Sequence, residues 1–328
     1  MAIADAILEP LSRAPAPAGA REAQARAATY VSVVIPVKNA AAYIREAIDS
    51  ALMQGANVGE VIVVDDGSTD DTVAIVRAIR DGRLRLIKNR SAGVSAARNF
   101  GAQAARGQWL LFLDADDRLR GDAVATLIAA ARKAPQAVLV YGDYNLIDSA
   151  GRQIGRRDLL KGRQKPSGNV LERLTAGNFI VNGGIMLVDA SAFDAAGGFD
   201  ETLKFCEDWH CWCRLAAIGE FQFVPALLLD YRLHTTNTMN AATRSPLDFL
   251  PAVARVFGDK LILGKLAPGS WPRLREAAEI HLITYSATQS VRFGRYREAF
   301  GYLRIVGQRS LAALPRAAAK TVLAGFGI

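Results

Sequence analysis

From residue 31 onward, apolar positions alternate between short continuous runs and a helical spacing. Three runs are mostly apolar and rich in β-branched or aromatic residues: VSVVIPV (31–37), EVIVVDD (60–66) and QWLLFLD (108–114). Such runs are typical of strands buried on both faces of a sheet. Between the first two runs, apolar residues recur at the spacing of one helix face, at 44, 47, 48, 51 and 52. The alternation predicts an α/β fold with a mostly parallel central sheet and helices on both faces.

The order of elements changes after residue 137. A strand at AVLVYGDYNLID (137–148) runs into SAGR (149–152), which is typical of a hairpin turn, and residues 155–169 have the basic, Gly- and Pro-containing composition of a mobile loop. A strand at 183–190, a helix at 207–219 and a last strand at 221–234 follow, and the chain is mostly helical beyond 240. We therefore expect a disordered leader at 1–28, an α/β domain at 29–239 and a basic helical C-terminal region at 240–328.

The composition narrows the class of protein. Of the 328 residues, 51% are hydrophobic and 22% charged, as in soluble globular proteins. Three cysteines give no disulfide framework, which favours a reducing compartment. As zinc ligands on a helix, Cys211 and Cys213 would point about 200° apart, because each residue advances by about 100°. Burial as small apolar side chains is the better interpretation.

The net charge of +8 is concentrated near the C-terminus. Residues 1–239 carry 27 Lys and Arg against 27 Asp and Glu, whereas residues 240–328 carry 13 against 5. A basic region of this kind indicates an anionic partner, either lipid headgroups or nucleic acid. A solvated helical face explains the same charges equally well.

Acidic or turn-forming residues follow three of the predicted strands. They are Pro36 to Asn39, Asp65–Asp66 and Asp114 to Asp117. The carboxyl ends of parallel strands form the ligand crevice of an open α/β sheet. The adjacent aspartates could cap a surface helix, but their position favours a divalent cation, Mg²⁺ or Mn²⁺, that bridges carboxylates to phosphates. The first turn, IPVKNA, lacks the glycines of a dinucleotide site, and no P-loop motif occurs.

Four segments together resemble the family 2 glycosyltransferases, which are inverting enzymes of the GT-A fold. They are VSVVIPVKNAAAYIREAIDSAL, VIVVDDGSTDDT, GVSAARNFGAQAARGQWLLFLDADD and GGFDETLKFCEDWHCWCRLA. The resemblance extends from about Tyr30 to Met239. It implies a GT-A fold and transfer of a sugar from a nucleotide-sugar donor.

The resemblance also implies roles for individual residues. Pro36, Val37, Asn39 and Asp66 would hold the nucleoside, with Asp66 contacting the base, and Arg98 would lie near the nucleotide. Asp114, Ala115 and Asp116 match the Asp-x-Asp motif, with Asp116 as the direct metal ligand. Asp208 matches the catalytic base, and His234 matches a histidine that contacts the metal or the diphosphate.

Several of these residues have a purely structural alternative. Glu207 and Asp208 could simply complement a helix dipole, although the apolar residues beside Asp208 would raise its basicity. His234 could be a structural histidine. The acceptor-side candidates are Asn182, Gly183, Gly184, Glu207 and Trp209. The Asn-Gly-Gly segment suits close backbone approach by an acceptor, and turn formation explains it nearly as well.

We therefore expect a metal-dependent inverting transferase. It would move one sugar, from a UDP-sugar, to a hydroxyl of a glycan or polyprenyl-linked acceptor in surface polysaccharide biosynthesis. The Gln/Arg-x-x-Arg-Trp motif of processive synthases is absent, which favours single additions.

The alternative is a non-catalytic sugar-nucleotide or glycan-binding module, which would have no need of both Asp116 and Asp208. The C-terminal helices would either rest on an anionic membrane or pack over the domain, and we expect no nucleic acid partner.

Overall fold

The computed structural model describes residues 30–154, 164–180, 185–234 and 244–325. The predicted leader at 1–28 lies outside the described residues, as do Asn182, Gly183, Gly184 and the first nine residues of the predicted loop at 155–169.

One mixed β-sheet forms the centre of the molecule. Its strands are β1 Val31–Val37, β2 Val58–Asp65, β3 Leu84–Lys88, β4 Trp109–Phe112, β5 Arg118–Leu119, β6 Ala137–Ile147, β7 Gln153–Ile154, β8 Met186–Asp189 and β9 Glu220–Arg232. The strand order is β3-β2-β1-β4-β8-β6-β9-β5, and β7 pairs with the end of β6. All residues of β1 and β4 are buried, as continuous apolar runs predict.

The sheet is parallel in its first half and mixed in its second. β1 pairs in parallel with β2 and β4, and β2 with β3. β8 runs antiparallel to both of its neighbours, β4 and β6, while β9 is parallel to β6 and antiparallel to β5. The predicted turn at residues 149–152 joins β6 to β7 as an antiparallel hairpin. Because β1, β2 and β4 pair in parallel, the three polar motifs that follow these strands lie at the same edge of the sheet.

The helices are α1 Ile44–Leu52, α2 Thr72–Ala78, α3 Val94–Ala104, α4 Ala123–Lys133, α5 Leu171–Thr175, α6 Ala190–Ala195, α7 Glu207–Ile218, α8 Leu250–Val256, α9 Lys260–Leu263, α10 Trp271–Arg292, α11 Tyr296–Arg309 and α12 Leu314–Gly325. The helix predicted at 207–219 is α7, and the region beyond 244 is mostly helical, as predicted. In the described part of the chain, no helix is both long and apolar enough to cross a membrane.

The main hydrophobic core extends into the C-terminal region. Ala252, Val256, Ile262 and Ala278 belong to the same buried cluster as the strands of the sheet. Farther along, Ile283, Val306 and Ala317 form a small second cluster between α10, α11 and α12. The first helices after residue 244 are therefore part of the α/β core, and α10 extends from that core into the small cluster that it shares with α11 and α12.

Candidate functional site

A cleft of about 2780 Å³ lies at the carboxyl ends of β1 and β4. It is lined by most of the residues that the sequence singled out: Pro36, Asn39, Arg98, Asp114, Ala115, Asp116, Glu207, Asp208 and His234. α10 and α12 supply its opposite wall. The cleft therefore combines carboxylates, a histidine and an arginine from strands and helices far apart in the chain.

Each of the three clustered aspartates after β4 has a different partner. Arg98 Nη2 donates to Asp114 Oδ1 at 2.9 Å, and His234 Nε2 lies 2.8 Å from Asp116 Oδ2. Asp117 is buried, and its Oδ1 accepts the backbone N–H of Arg232 at 2.8 Å. The repulsion between adjacent carboxylates is thus relieved by pointing them in three directions. Asp117 supports the loop, while Asp114 and Asp116 face the cleft.

Arg232, at the end of β9, supports this loop from inside the protein, and no motif in the sequence predicted its role. Only 1% of Arg232 is exposed. Its Nε donates to the carbonyl of Asp116 at 2.8 Å, and its Nη1 lies 3.3 Å from the carbonyls of Asp148 and Ser149. Its Nη2 pairs with Glu46 of α1. An arginine at the end of a largely apolar strand was the available signal, but its partners are distant in sequence.

Arg232→Met should destabilise the fold by about 3 kcal/mol, because it leaves several carbonyls and Glu46 without their buried donor. Urea unfolding followed by circular dichroism measures the change. Arg45→Met is the matched control, since the Arg45–Asp49 pair lies on the surface of α1. Its loss should change stability by less than about 1 kcal/mol. Equal stability of the two variants would contradict the supporting role of Arg232.

Asp208 lies in the first turn of α7, where its carboxylate is withdrawn from water. Its Oδ2 accepts from Asn178 Nδ2 at 3.2 Å, and its Oδ1 accepts from the Trp209 backbone N–H at 2.7 Å. Burial, and then the neighbouring charge of Glu207, raise the pKa of Asp208 to about 7. A carboxylate with a pKa near neutrality is suited to accept a proton in catalysis.

Arg98 joins the two acidic groups of the cleft. Besides Asp114, it contacts Glu207, with Nη1 donating to Oε1 at 3.1 Å. Glu207 is thereby held by a charged donor, whereas the hydrogen-bond partners of Asp208, Asn178 and the Trp209 N–H, carry no charge. Because burial raises the pKa of Asp208, this residue is the candidate proton acceptor of α7.

The residues predicted to hold the nucleoside form a connected pair of loops. Asp66 accepts hydrogen bonds from Asn89 Nδ2 at 2.7 Å and from the Gly93 N–H at 3.1 Å. Asn39, in the left-handed region with a φ of 53°, accepts the Thr69 N–H at 2.7 Å. These bonds join the loop after β1 to the loop after β2. Asp66 borders the cleft without lining it.

Two predicted site residues belong to the hydrophobic core. The Val37 side chain is 3% exposed, because the residue still continues the buried strand, and only its carbonyl reaches the loop, where it accepts the Asp66 N–H. Trp209 is 1% exposed, and its Nε1 donates to the Leu174 carbonyl at 2.8 Å. Helical geometry turns Trp209 about 100° away from Asp208. Neither side chain lines the cleft, and the binding roles given to Val37 and Trp209 stay predictions.

The donor set around Asp116 fits a divalent cation. Burial, and then the charge of Asp114, raise the pKa of Asp116, which a bound cation would counteract. Carboxylate oxygen and imidazole nitrogen are both ligands of Mn²⁺, and Asp116 and His234 are already adjacent. No group of three or more such side chains converges in the described residues. The pair would therefore hold a cation together with ligands from a phosphate or water.

Comparison with known proteins gives matches to glycosyltransferases. Residues 32–193 match the model of "Glycosyl transferase family 2". An uncharacterized glycosyltransferase of Rickettsia prowazekii is 32% identical over 65% of this chain and 66% of its own length. The chondroitin synthase of Escherichia coli is 30% identical over 63% of this chain and 29% of its own length. The similarity thus spans just under two thirds of the first relative and about a third of the second.

The fold is similar to that of a solved structure. The 1–349 segment of S. aureus TarS, in complex with UDP-GlcNAc, superposes with a TM-score of 0.63 at 18% identity, covering 90% of this chain and 89% of that one. At this identity the likeness concerns the fold alone. It confirms the predicted GT-A architecture with a C-terminal helical region.

Proposed function

Because the chain belongs to glycosyl transferase family 2, we propose that it moves one sugar, with inversion, from a nucleotide-sugar to a hydroxyl group of an acceptor. The donor is a UDP-sugar, and the acceptor is a glycan or a polyprenyl-linked sugar used in polysaccharide biosynthesis. The TarS complex with UDP-GlcNAc supports the class of donor, and the chondroitin synthase supports the class of product.

One observation carries the proposal: Asp116 and His234, whose side chains are of the types that bind Mn²⁺, share a cleft with Asp208, a carboxylate of raised pKa. Asp116 and His234 would hold Mn²⁺ or Mg²⁺. When bound, the cation supplies charge neutralisation for the departing nucleoside diphosphate. Asp208 accepts the proton of the attacking hydroxyl.

Arg98 keeps Asp114 and Glu207 in place on the two sides of the cleft. Asp66, on the neighbouring loop, contacts the base.

A screen of nucleotide-sugars tests the proposal. UDP-, GDP- and dTDP-sugars are incubated with the protein and Mn²⁺, and release of the nucleoside diphosphate is measured with and without chelator. Turnover of one donor that stops with chelator supports the proposed activity. Nucleotide binding without turnover of any donor, with any acceptor glycan, would instead identify a non-catalytic binding module.

A peripheral membrane contact is a second part of the proposal. On α11, Tyr296 and Phe300 are 68% and 72% exposed. They alternate with Arg297 and Arg304 on the same helix, an arrangement that suits an anionic lipid surface. Tyr296→Ser with Phe300→Ser should reduce cosedimentation with anionic vesicles about tenfold, while Met53→Ser, at another exposed apolar position, should not. Equal binding to neutral and anionic vesicles would contradict it.

A further inference from the structure

The wall of the cleft that comes from the C-terminal region is strongly basic. From residue 244 onward, the charged side chains that line it are Arg244, Arg273, Arg292, Arg316 and Lys320, with Glu276 as the only acid within the described residues. Part of the C-terminal excess of positive charge therefore faces inward, rather than toward a membrane. Charges that line a cleft with low-dielectric walls attract ions of the opposite sign.

Three of the cleft's cations gather around one histidine. The pKa of His281 on α10 is lowered to about 4, first by burial and then by the charges of Lys320, Arg173 and Arg316. His281 is therefore neutral at physiological pH and adds no charge of its own. Arg173 comes from α5, while Arg316 and Lys320 are one turn apart on α12, so two separate elements converge on this point.

This cluster adjoins the proposed base. The ring of His281 packs against Gly177, where a Cβ would come within 2.7 Å of it, so only glycine fits at this contact. The next residue, Asn178, donates to Asp208. A molecule that presents a hydroxyl to Asp208 can therefore extend along Gly177 to the basic wall.

Two of the three cations in this cluster have no acidic partner in the described part of the chain. For Arg173 and Arg316, the structure gives no ion pair with any described residue. Like charges gathered at one end of a cleft repel each other unless an anion joins them. The diphosphate of the donor would belong to Asp116 and His234, which leaves this anion to the other substrate.

We propose that Arg173, Arg316 and Lys320 form an anion subsite that binds a phosphate or carboxylate group on the acceptor. The inference rests on the proposed function and narrows its acceptor to an anionic glycan or a phosphate-bearing one. The subsite positions the acceptor, with its hydroxyl at Asp208 and its anionic group on α12. A guanidinium binds either kind of anion through paired N–H donors.

Three methyl glycosides test the subsite: methyl glucoside, methyl glucoside 6-phosphate and methyl glucuronide. Their binding is measured by calorimetry with saturating UDP and Mn²⁺, so that the diphosphate position is filled. We expect at least one anionic probe to bind about tenfold more tightly than the neutral one. The double variant Arg316→Glu, Lys320→Glu should abolish that preference. The matched double variant Arg132→Glu, Lys133→Glu, at the exposed end of α4 and outside the cleft lining, should retain it.

The outcomes show whether the anionic group of the acceptor is a phosphate or a carboxylate, and they test separately whether the subsite exists. A preference for the phosphate probe alone assigns a phosphate-bearing acceptor, and a preference for the glucuronide alone assigns a uronic acid. Equal binding of all three probes, or a preference that survives the α12 charge reversal, overturns the subsite. Donor hydrolysis is measured on the same protein preparations, with a nucleotide-sugar in place of UDP. Hydrolysis without any anion preference leaves the proposed function standing, whereas anion preference without hydrolysis supports the subsite and contradicts the function.

Discussion

Asp208→Asn is expected to lower sugar transfer by about 10²–10⁴-fold, the usual effect of removing a general base. Asparagine keeps the size of the side chain, and its carbonyl oxygen can still accept from Asn178, but it cannot take up the proton of the acceptor. The affinity for nucleotide should stay unchanged, because the residues proposed to hold it are elsewhere in the cleft. Transfer is measured by initial rates, and nucleotide affinity by calorimetry.

The same variant gives a prediction for pH. Since the folded-state pKa of Asp208 is about 7, wild-type transfer should rise as the pH increases through 7, and the variant's residual activity should lack that step. The ordinary pKa of an aspartate is 3.8, so ionisation of Asp208 costs the folded state stability as the pH rises from about 4 to 7. At pH 8, Asp208→Asn should therefore be at least as stable as the wild type.

Glu207→Gln is the matched control for the base. Glu207 neighbours Asp208, but its carboxylate is engaged by Arg98. If Glu207→Gln shows the large fall in transfer and Asp208→Asn does not, Glu207 is the base. If Asp208→Asn loses both nucleotide binding and thermal stability, the residue is structural and the proposed mechanism fails.

Asp116→Ala is expected to reduce donor turnover by about 10³-fold or more, since the cation that it would hold is worth several kcal/mol to the departing diphosphate. Nucleotide affinity in Mn²⁺ should also fall, toward the value that the wild type shows without metal. Asp143→Ala is the control, because Asp143 lines the same cleft and pairs with Lys165 at 2.5 Å. Full wild-type turnover in excess chelator would contradict the metal's role.

Local patterns were sufficient to predict most of the elements and the edge of the sheet at which the cleft lies. The apolar runs at β1, β2 and β4 give strands buried on both faces, and parallel pairing brings their carboxyl ends to one edge. The motif residues Asp114 and Asp116 consequently face the cleft with His234, which follows the end of β9 by two residues. The antiparallel direction of β8 depends on how the chain re-enters the sheet, which no local pattern encodes.

Contacts between distant segments could not be predicted. Asn178 and Asp208 are 30 residues apart, and Arg232 and Asp116 are 116 residues apart, so neither pair has a sequence spacing that indicates it. The burial of the Val37 and Trp209 side chains could not be predicted for a different reason. Both adjoin genuine cleft residues, but the strand continues through one and the helix turns the other by about 100°. A motif gives the position of a site to within a residue or two and does not give the direction of each side chain.

Arg232 supports the loop after β4, which carries Asp114, Asp116 and Asp117, and this dependence has a consequence for synthesis on the ribosome. β1 to β4 are contiguous in the chain and adjacent in the sheet, so a nascent chain could pair them early. The loop after β4 cannot be completed then, because its buried support emerges more than 100 residues later. β9 must also enter between β6 and β5, which are both made before it. We expect an incomplete chain that ends before β9 to carry every aspartate of the motif without a finished donor site.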